Sequence, residues 1–495
     1  MAVMTDAADI GRAVLIVAVG FAAAILSSRV SDRLRIPAPA LFLAAAAVSS
    51  DITPSLTPLL SIRDVERICL VALIVILFDG GMDIGLRRFR RSLWPIVALG
   101  VPGTFAVAGL LAVFVHAVLG FGWTPALLIG AAVAPTDPAV MFSVLGGREV
   151  AGRSDDILKG ESGMNDPVGI ALVIGLLDAA DSSGNGVATI FSDFAVEMAV
   201  GLAVGVLGGV LLGRAMHRVT LPDEALYPLL TLAGAGIVYG VAAVAHGSGF
   251  LAVFVAGIMV GDLRAPYKHE VEHVTSVLAS LGEIVVFVAL GLTIDIGSLG
   301  LRNVWLDGLV IAAVLTFAVR PVVVAAMLGP ADLRRGEKAF ISWAGMRGAV
   351  PILLAAFALL DGAQDAHRIY GIVFVVVMFS VVVQGSLVSV AARLAGVPMT
   401  QSDKEPWHVS VRLRDEPRGV HRFLVAPGSA ADGVAIRDLP MGRRPWISLL
   451  IRDGAAQQAR GSTVLEPGDE VLLLGANDEL GELFEGSPAG AEVEA

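Results

Sequence analysis

Runs of about 20 apolar residues recur along this chain, and each is long enough to cross a hydrocarbon layer roughly 30 Å thick. Water is absent from such a layer, so every run must satisfy its own backbone N–H and C=O groups, which a helix does. Composition agrees: 56% of the 495 residues are hydrophobic, 16% are charged and the mean hydropathy is +0.78. An ordinary soluble domain carries about 25% charged residues. The expected fold is an all-α polytopic membrane protein with a small soluble α+β appendage.

Window length places about 13 spans, with cores at 11–28, 37–51, 66–84, 94–116, 123–145, 161–180, 191–213, 225–245, 249–262, 275–294, 304–328, 338–360 and 369–394. The first apolar run, 13–26, follows Asp6, Asp9 and a single early Arg12 and lacks a small-x-small cleavage site, so a retained helix is expected rather than a signal peptide. Arg87, Arg88, Arg90, Arg91, Arg148, Arg153, Lys159, Arg214, Arg218, Arg334 and Arg335 all fall in loops on one side. The positive-inside rule therefore predicts an external N-terminus and a cytoplasmic C-terminus. The single cysteine, Cys69, excludes an internal disulfide and a thiolate metal cluster. Net charge is −11 and no basic tract is long enough to follow phosphates, which excludes nucleic acid as a partner.

Composition changes after Val397. Residues 398–406 read as a polar linker, and 407–485 hold short β-type runs at 408–413, 423–425, 446–451 and 470–474, separated by Pro-Gly and Asp-Gly turns. Segments 430–438 and 478–483 have helical character. The tail, 486–495, is acidic, rich in small residues and expected to be disordered. No Gly-x-Gly-x-x-Gly half precedes the β-type runs, so no dinucleotide cofactor is expected.

Two spans are broken where a membrane helix should be continuous. Ala134-Pro135-Thr136-Asp137-Pro138 interrupts the fifth and Gly345-Met346-Arg347-Gly348-Ala349-Val350-Pro351 the twelfth, one with an acid and the other with a base at its centre. Irregular backbone at membrane depth survives only where protein buries it or it lines a cavity. Interrupted spans at matching places in two halves point to the ion site of a transporter built from inverted repeats, here spans 1–6 and 8–13 with the seventh as linker.

The sixth span opens with Gly160-Glu161-Ser162-Gly163-Met164-Asn165-Asp166-Pro167. Ser162 and Asp166 are four residues apart and share a helix face, as do Glu161 and Asn165. Asp166 and Ser162 can offer oxygens to a cation. Asn165 can hold a carboxylate or a neighbouring backbone group, and Glu161 needs a cationic partner, for which Arg347 is the candidate. Asp79 reads either as a further ligand or as an interfacial residue screened by Arg87, Arg88, Arg90 and Arg91. Glu283 and Arg320 are further intramembrane charges, expected to pair with each other or to serve structure.

Thr136-Asp137-Pro138, then Glu161-Ser162-x-x-Asn165-Asp166-Pro167, then Trp343-Ala344-Gly345-Met346-Arg347-Gly348-Ala349-Val350-Pro351 resemble the signature set of the monovalent cation:proton antiporter-1 family, and most of all that of its bacterial NhaP-type K⁺/H⁺ members. Phe78-Asp79-Gly80-Gly81-Met82 and Gly247-Ser248-Gly249-Phe250 extend the likeness over the membrane region. The resemblance implies a homodimer in the bacterial inner membrane, 13 spans with broken helices crossing at mid-membrane, and alternating access. It implies Asp166 as the main carboxylate for cation and proton, Asn165 as its support, Asp137, the Thr136 carbonyl and Ser162 as further ligands, and Glu161 with Arg347 as a structural ion pair. The Asn165-Asp166 pair implies electroneutral exchange of K⁺, or Na⁺, for H⁺ in pH and cation homeostasis. Asp79 stands where some relatives carry Glu.

Val434-x-Ile436-x-Asp438-Leu439-Pro440 and Leu465-Glu466-Pro467-Gly468-Asp469-Glu470-Val471 resemble the TrkA-C regulatory domain, which implies a small-molecule regulator such as a cyclic dinucleotide. Two readings of other classes accompany the antiporter. Gly160-Glu161-Ser162-Gly163 matches a serine nucleophile motif, but an intramembrane protease needs a histidine base near Ser162, and His116, His217, His246, His269 and His367 are all expected at span ends or in loops. A passive cation channel would show no obligatory proton coupling.

Overall fold

A computed structural model describes residues 37–52, 61–145, 148–150, 153–181, 187–263, 265, 267–300, 303–401, 420–440, 446–452, 455–457, 459–474 and 483–484. The chain divides into two compact units, residues 1–406 and 407–495.

The first unit is helical. Its order is α1 (Ala38–Ile52), α2 (Ile62–Arg91), α3 (Leu93–Leu119), α4 (Trp123–Ala132), α5 (Ala139–Leu145), β1 (Arg148–Val150), α6 (Arg153–Asp181), α7 (Val187–Arg218), α8 (Leu226–Val244), α9 (Gly249–Gly261), α10 (Lys268–Leu292), α11 (Val304–Met327), α12 (Arg335–Ala344), α13 (Ala349–Leu360), α14 (Ala366–Ala395) and β2 (Met399–Gln401). Among the described residues eight helices are long and apolar enough to span a membrane, or nine if α12 and α13, bent by 44° at their break, form one span. The expected span at 11–28 lies outside the described residues. The other expected cores fall on these helices or on the broken pairs α4/α5 and α12/α13.

Local chemistry explains where helices begin and bend. Ser61 starts α2 with a capping box, its hydroxyl accepting the Asp64 N–H at 3.1 Å while the Asp64 carboxylate accepts the Ser61 N–H at 3.2 Å. Gly85, at φ 65°, kinks the same helix, and the Asp262 carboxylate caps the new start by accepting the Arg87 N–H at 2.5 Å. Three π turns, Leu99–Gly103, Leu315–Val319 and Ser380–Gly385, interrupt α3, α11 and α14. The first contains Pro102 and the second precedes Arg320-Pro321, where a missing proline N–H forces the helix to re-register.

The core sits around α9 and α13, which are apolar on all sides and buried almost throughout. Helices α2 and α9 touch backbone to backbone at Gly81 and Gly257, where an added Cβ would lie 2.4 Å from a carbonyl oxygen of the other helix. By contrast, α7 and α8 bury little of themselves and present Leu202, Leu207, Leu211, Ile237 and Val241 outward.

Residues 399–401, expected as polar linker, form strand β2. It pairs antiparallel with β1 in the register Arg148↔Gln401, Glu149↔Thr400 and Val150↔Met399. The linker thereby starts as the partner of the loop that follows the fifth span. Sequence periodicity over three residues is too short to reveal a strand whose partner lies some 250 positions away.

In the second unit β3 (Val420–Leu424), β4 (Trp446–Arg452), β5 (Ala455–Gln457) and β6 (Glu470–Leu474) form an antiparallel sheet of order β3-β6-β4-β5. Its core holds Val425, Leu450, Leu465, Val471, Leu473 and Phe484. The helix expected at 430–438 is instead turns and a 3₁₀ segment, Ile436–Asp438. Gly433 has φ 73°, and the amides of Gly433, Ile436 and Arg437 donate to Leu465, Thr463 and Gly461 rather than to a helix of their own. The run at 408–413 and the tail at 486–495 lie outside the described residues, as does all but the end of 478–483.

Candidate ion-binding site

The two breaks meet. After α4 the chain is irregular through Ala134–Pro138 before α5 begins, and after α12 it is irregular through Gly345–Gly348, with a tight turn at Gly345, before α13 begins. Asp137 N–H donates to Met346 C=O at 2.7 Å, joining the two irregular segments. Backbone groups left outside the helices thus find partners in the other break or in side chains of neighbouring helices, as burial demands.

Charge is arranged by helix polarity. The Asp137 carboxylate accepts the Ala139 N–H at 2.9 Å and receives the Val140 and Ala349 amides as well, so it sits at the N-terminal ends of both downstream half-helices, α5 and α13. The Arg347 guanidinium, 1% exposed, donates from Nε to Val133 C=O at 3.0 Å and from Nη1 to Gly345 C=O. Those carbonyls end the upstream half-helices, α4 and α12. Helix dipoles favour an anion at N-termini and a cation at C-termini, and each charge here serves two helices. Gly348 makes room for this packing: a Cβ there would lie 1.8 Å from Asp137 Oδ2.

Helix α6 brings the remaining groups. Asn165 accepts the Thr136 N–H at 3.3 Å and donates to Thr136 Oγ1 at 2.8 Å, which ties the first break to α6. Asp166 and Ser162, 6% and 8% exposed, lie one turn apart. Asp166 Oδ1 is buried and has no hydrogen-bond partner, and its charge interacts with that of Asp137. An orphaned buried carboxylate oxygen costs about 1–3 kcal/mol or more, a cost that a bound cation or proton removes. Thr136, Asp137, Ser162, Asn165 and Asp166 are therefore gathered around one place.

One expectation about charge pairs is corrected, and of the two alternatives for Glu283 and Arg320 the structural one holds for Arg320. Glu161 does not pair with Arg347: Arg320 on α11 holds it in a two-pronged contact, Nη1 to Oε1 at 2.5 Å and Nη2 to Oε2 at 2.8 Å, with side chains 3% and 1% exposed. Arg347 is committed to the half-helix carbonyls, whereas Arg320, which directly follows the π turn of α11, reaches Glu161 on α6. Arg320 is consequently unavailable to Glu283, whose Oε1 is buried without a partner.

Asp79 lies in the wall of a polar cavity of ≈ 850 Å³ that Asp83, Lys159, Glu272, Glu283, Ala139 and Phe142 also line. Lys159 bridges Asp83 at 2.6 Å and Asp155 at 3.1 Å in that region. Sequence reading missed the support behind Arg347. The Arg347 N–H donates to Ser380 Oγ at 2.9 Å, Ser380 Oγ donates to Gln384 Oε1 at 2.6 Å, and Gln384 exchanges hydrogen bonds with the Trp343 backbone carbonyl and indole. The signal available was the i,i+4 polar pair Ser380 and Gln384 inside the last apolar run.

Comparison with known proteins gives concordant results. Residues 19–394 match the model of the transmembrane sodium/hydrogen exchanger family, and residues 420–485 match the TrkA-C domain. The chain is 30% identical to the K⁺/H⁺ antiporter NhaP2 of Shewanella oneidensis over 99% of its own length and 86% of that protein's. It is 34% identical to the K⁺/H⁺ antiporter NhaP of Alkalimonas amylolytica over 82% and 71%. The sodium proton antiporter MjNhaP1 of Methanocaldococcus jannaschii superposes with a TM-score of 0.64 at 23% identity, covering 78% of this chain and 98% of that one, and so shares the fold. The chain belongs to the transmembrane sodium/hydrogen exchanger family and carries a C-terminal TrkA-C domain.

Proposed function

We propose that the protein is a secondary active antiporter that exchanges cytoplasmic K⁺ for external H⁺ through one carboxylate site centred on Asp166. The observation that carries this reading is the buried, unpartnered Asp166 oxygen beside Asp137 where the two broken spans cross. A carboxylate taken out of water is relieved of its charge equally by a proton or by a cation, and it accepts one of them at a time. Alternate exposure of such a site to the two sides of the membrane couples the two gradients. Asp166 carrying either H⁺ or K⁺ has the same net charge, so exchange is one for one and electroneutral.

In this reading Asp166, Asp137, Ser162 and the Thr136 carbonyl bind the ion, Asn165 positions Thr136, and Arg347 holds the crossing together. The K⁺ assignment draws on the names of the two NhaP relatives. Na⁺ is the second reading, favoured by the family description. Residues 1–397 form the antiporter, 398–406 the linker, 407–485 a cytoplasmic regulatory domain for a small ligand such as a cyclic dinucleotide, and 486–495 the tail. The basic loops favour an inner-membrane orientation with the N-terminus outside. The outward apolar faces of α7 and α8 suit lipid and a second copy in a homodimer.

Dye-monitored proton flux in everted vesicles tests the proposal, with K⁺, Na⁺, Rb⁺ and Li⁺ added in turn. Asp166→Asn is expected to abolish cation-dependent flux at a normal protein level. Retained flux in that variant would remove Asp166 from the exchange site, and ion currents without proton coupling would replace the antiporter by a channel.

A further inference from the structure

Helix α10 turns one face inward through Val271, Thr275, Ala279, Phe287 and Leu290, all buried at three- and four-residue spacing apart from the gap between Ala279 and Phe287. The residue that fills the gap is Glu283. A carboxylate in an apolar stripe is expensive, and structure normally offsets the cost with a cation or hydrogen-bond donors. Glu283 Oε1 has neither: it is buried and has no hydrogen-bond partner. The cations that line the same cavity are engaged elsewhere, Lys159 with Asp83 and Asp155 and Arg88 with Asp156, and Arg320 is taken by Glu161.

Glu283 also lines the ≈ 850 Å³ polar cavity, together with Asp79 and Asp83. Another part of that wall is Ala139, the first residue of α5, whose N–H is bonded to the Asp137 carboxylate. The cavity therefore reaches to within one hydrogen bond of the ion site, and the charges of Glu283 and Asp137 are close enough to interact.

We infer that Glu283 is a relay carboxylate, which holds a partly dehydrated monovalent cation as it passes between the polar cavity and the Asp137–Asp166 site. It belongs to the path rather than to the exchange site, and it sets the apparent affinity for cation offered from the cavity side. Its unpartnered oxygen is the ligand that a passing cation takes up. The inference rests on the antiport reading above.

The test compares Glu283→Gln, Glu283→Asp, Asp166→Asn and wild type as full-length proteins in everted vesicles, with K⁺ added on the cytoplasmic face. Loss of a charge-assisted contact is expected to raise the half-saturating K⁺ about tenfold in Glu283→Gln, with a smaller fall in maximal rate, and Glu283→Asp is expected to recover most of the affinity. Thermal denaturation supplies a second readout: Glu283 is half-buried with its Oε1 buried and unpartnered, so removing its charge is expected to raise Tm, whereas removing a structural charge lowers it. Unchanged half-saturation in Glu283→Gln would overturn the proposal, as would a lowered Tm in that variant. Complete loss of flux in both Glu283 variants would move Glu283 into the exchange site and refute the relay. If wild type carries no cation-dependent proton flux, the antiport reading falls and takes the relay with it. Flux that is present in wild type and absent in Asp166→Asn leaves the antiport reading standing, so a failure in the Glu283 variants then counts against the relay alone.

Discussion

Replacing Arg320 by Met should be among the most damaging single changes in the membrane unit. The substitution removes both donors, at 2.5 and 2.8 Å, from a Glu161 carboxylate that is 1% exposed. Two hydrogen bonds to a charged group contribute about 1.5–3 kcal/mol each, and stranding one member of a buried pair costs about 3–5 kcal/mol. Removing both charges in Arg320→Met/Glu161→Leu should restore stability to within about 1–2 kcal/mol of wild type, since two well-packed apolar side chains need no solvation. Thermal denaturation of the detergent-purified full-length protein reads this as a drop of several degrees that the double variant largely reverses. The decisive comparison is the cycle with Arg347→Met. That change frees the Val133 and Gly345 carbonyls, so it should destabilise by a different route and add to Glu161→Leu with little coupling. Strong coupling between Glu161 and Arg347, with little between Glu161 and Arg320, would refute the pairing described above.

Three further outcomes follow from the geometry. Gly348→Ala should abolish transport, because its Cβ would fall 1.8 Å from Asp137 Oδ2, whereas Gly80→Ala, with nothing within 4 Å, should transport at close to the wild-type rate in the same vesicle assay. In the C-terminal unit burial pushes the Asp469 carboxyl up, but hydrogen bonds from Arg452, at 2.8 and 2.7 Å, and from the Glu466 N–H, at 2.8 Å, outweigh it and hold the group below its ordinary 3.8. Its stabilisation is thus complete above that ordinary value and lost as pH falls through the lower folded value; hydrogen exchange in β6 of the full-length protein should accelerate there in wild type, and Asp469→Asn should already exchange fast at neutral pH. Finally, Glu149→Cys with Thr400→Cys should form a disulfide under mild oxidant, since the two are register partners in the β1–β2 ladder, and a gel shift that appears only when both cysteines are present checks it.

Much of the membrane unit was legible because the bilayer imposes a simple requirement. A helix must stay apolar for about 20 residues, so window length alone locates the spans, and Pro135, Pro138, Gly345 and Gly348 announce the breaks by removing donors or side chains. The important acids were equally plain, because a charge in an apolar run has to be explained locally. In the C-terminal unit strand runs such as 470–474 were readable as short apolar stretches bounded by turn residues, while 430–438 was not. Its amides are taken by residues 461–465, a long-range choice that local propensity does not encode.

What the sequence determined by itself was therefore the kind of solvent, the approximate spans, the two broken helices and the shortlist of Thr136, Asp137, Ser162, Asn165 and Asp166. Only the tertiary structure decided which charge meets which. Arg347 lies in a motif and was the natural partner for Glu161, yet the carbonyls that end α4 and α12 claim it, and Arg320, just after a π turn in α11, takes Glu161 instead. It also placed Asp79 and Glu283 in the wall of one cavity and left Glu283 Oε1 without a hydrogen-bond partner. The physical reason is that pairing depends on distances of a few tenths of an ångström between helices far apart in sequence, set by glycine contacts and helix bends, whereas burial and periodicity depend on composition along one helix.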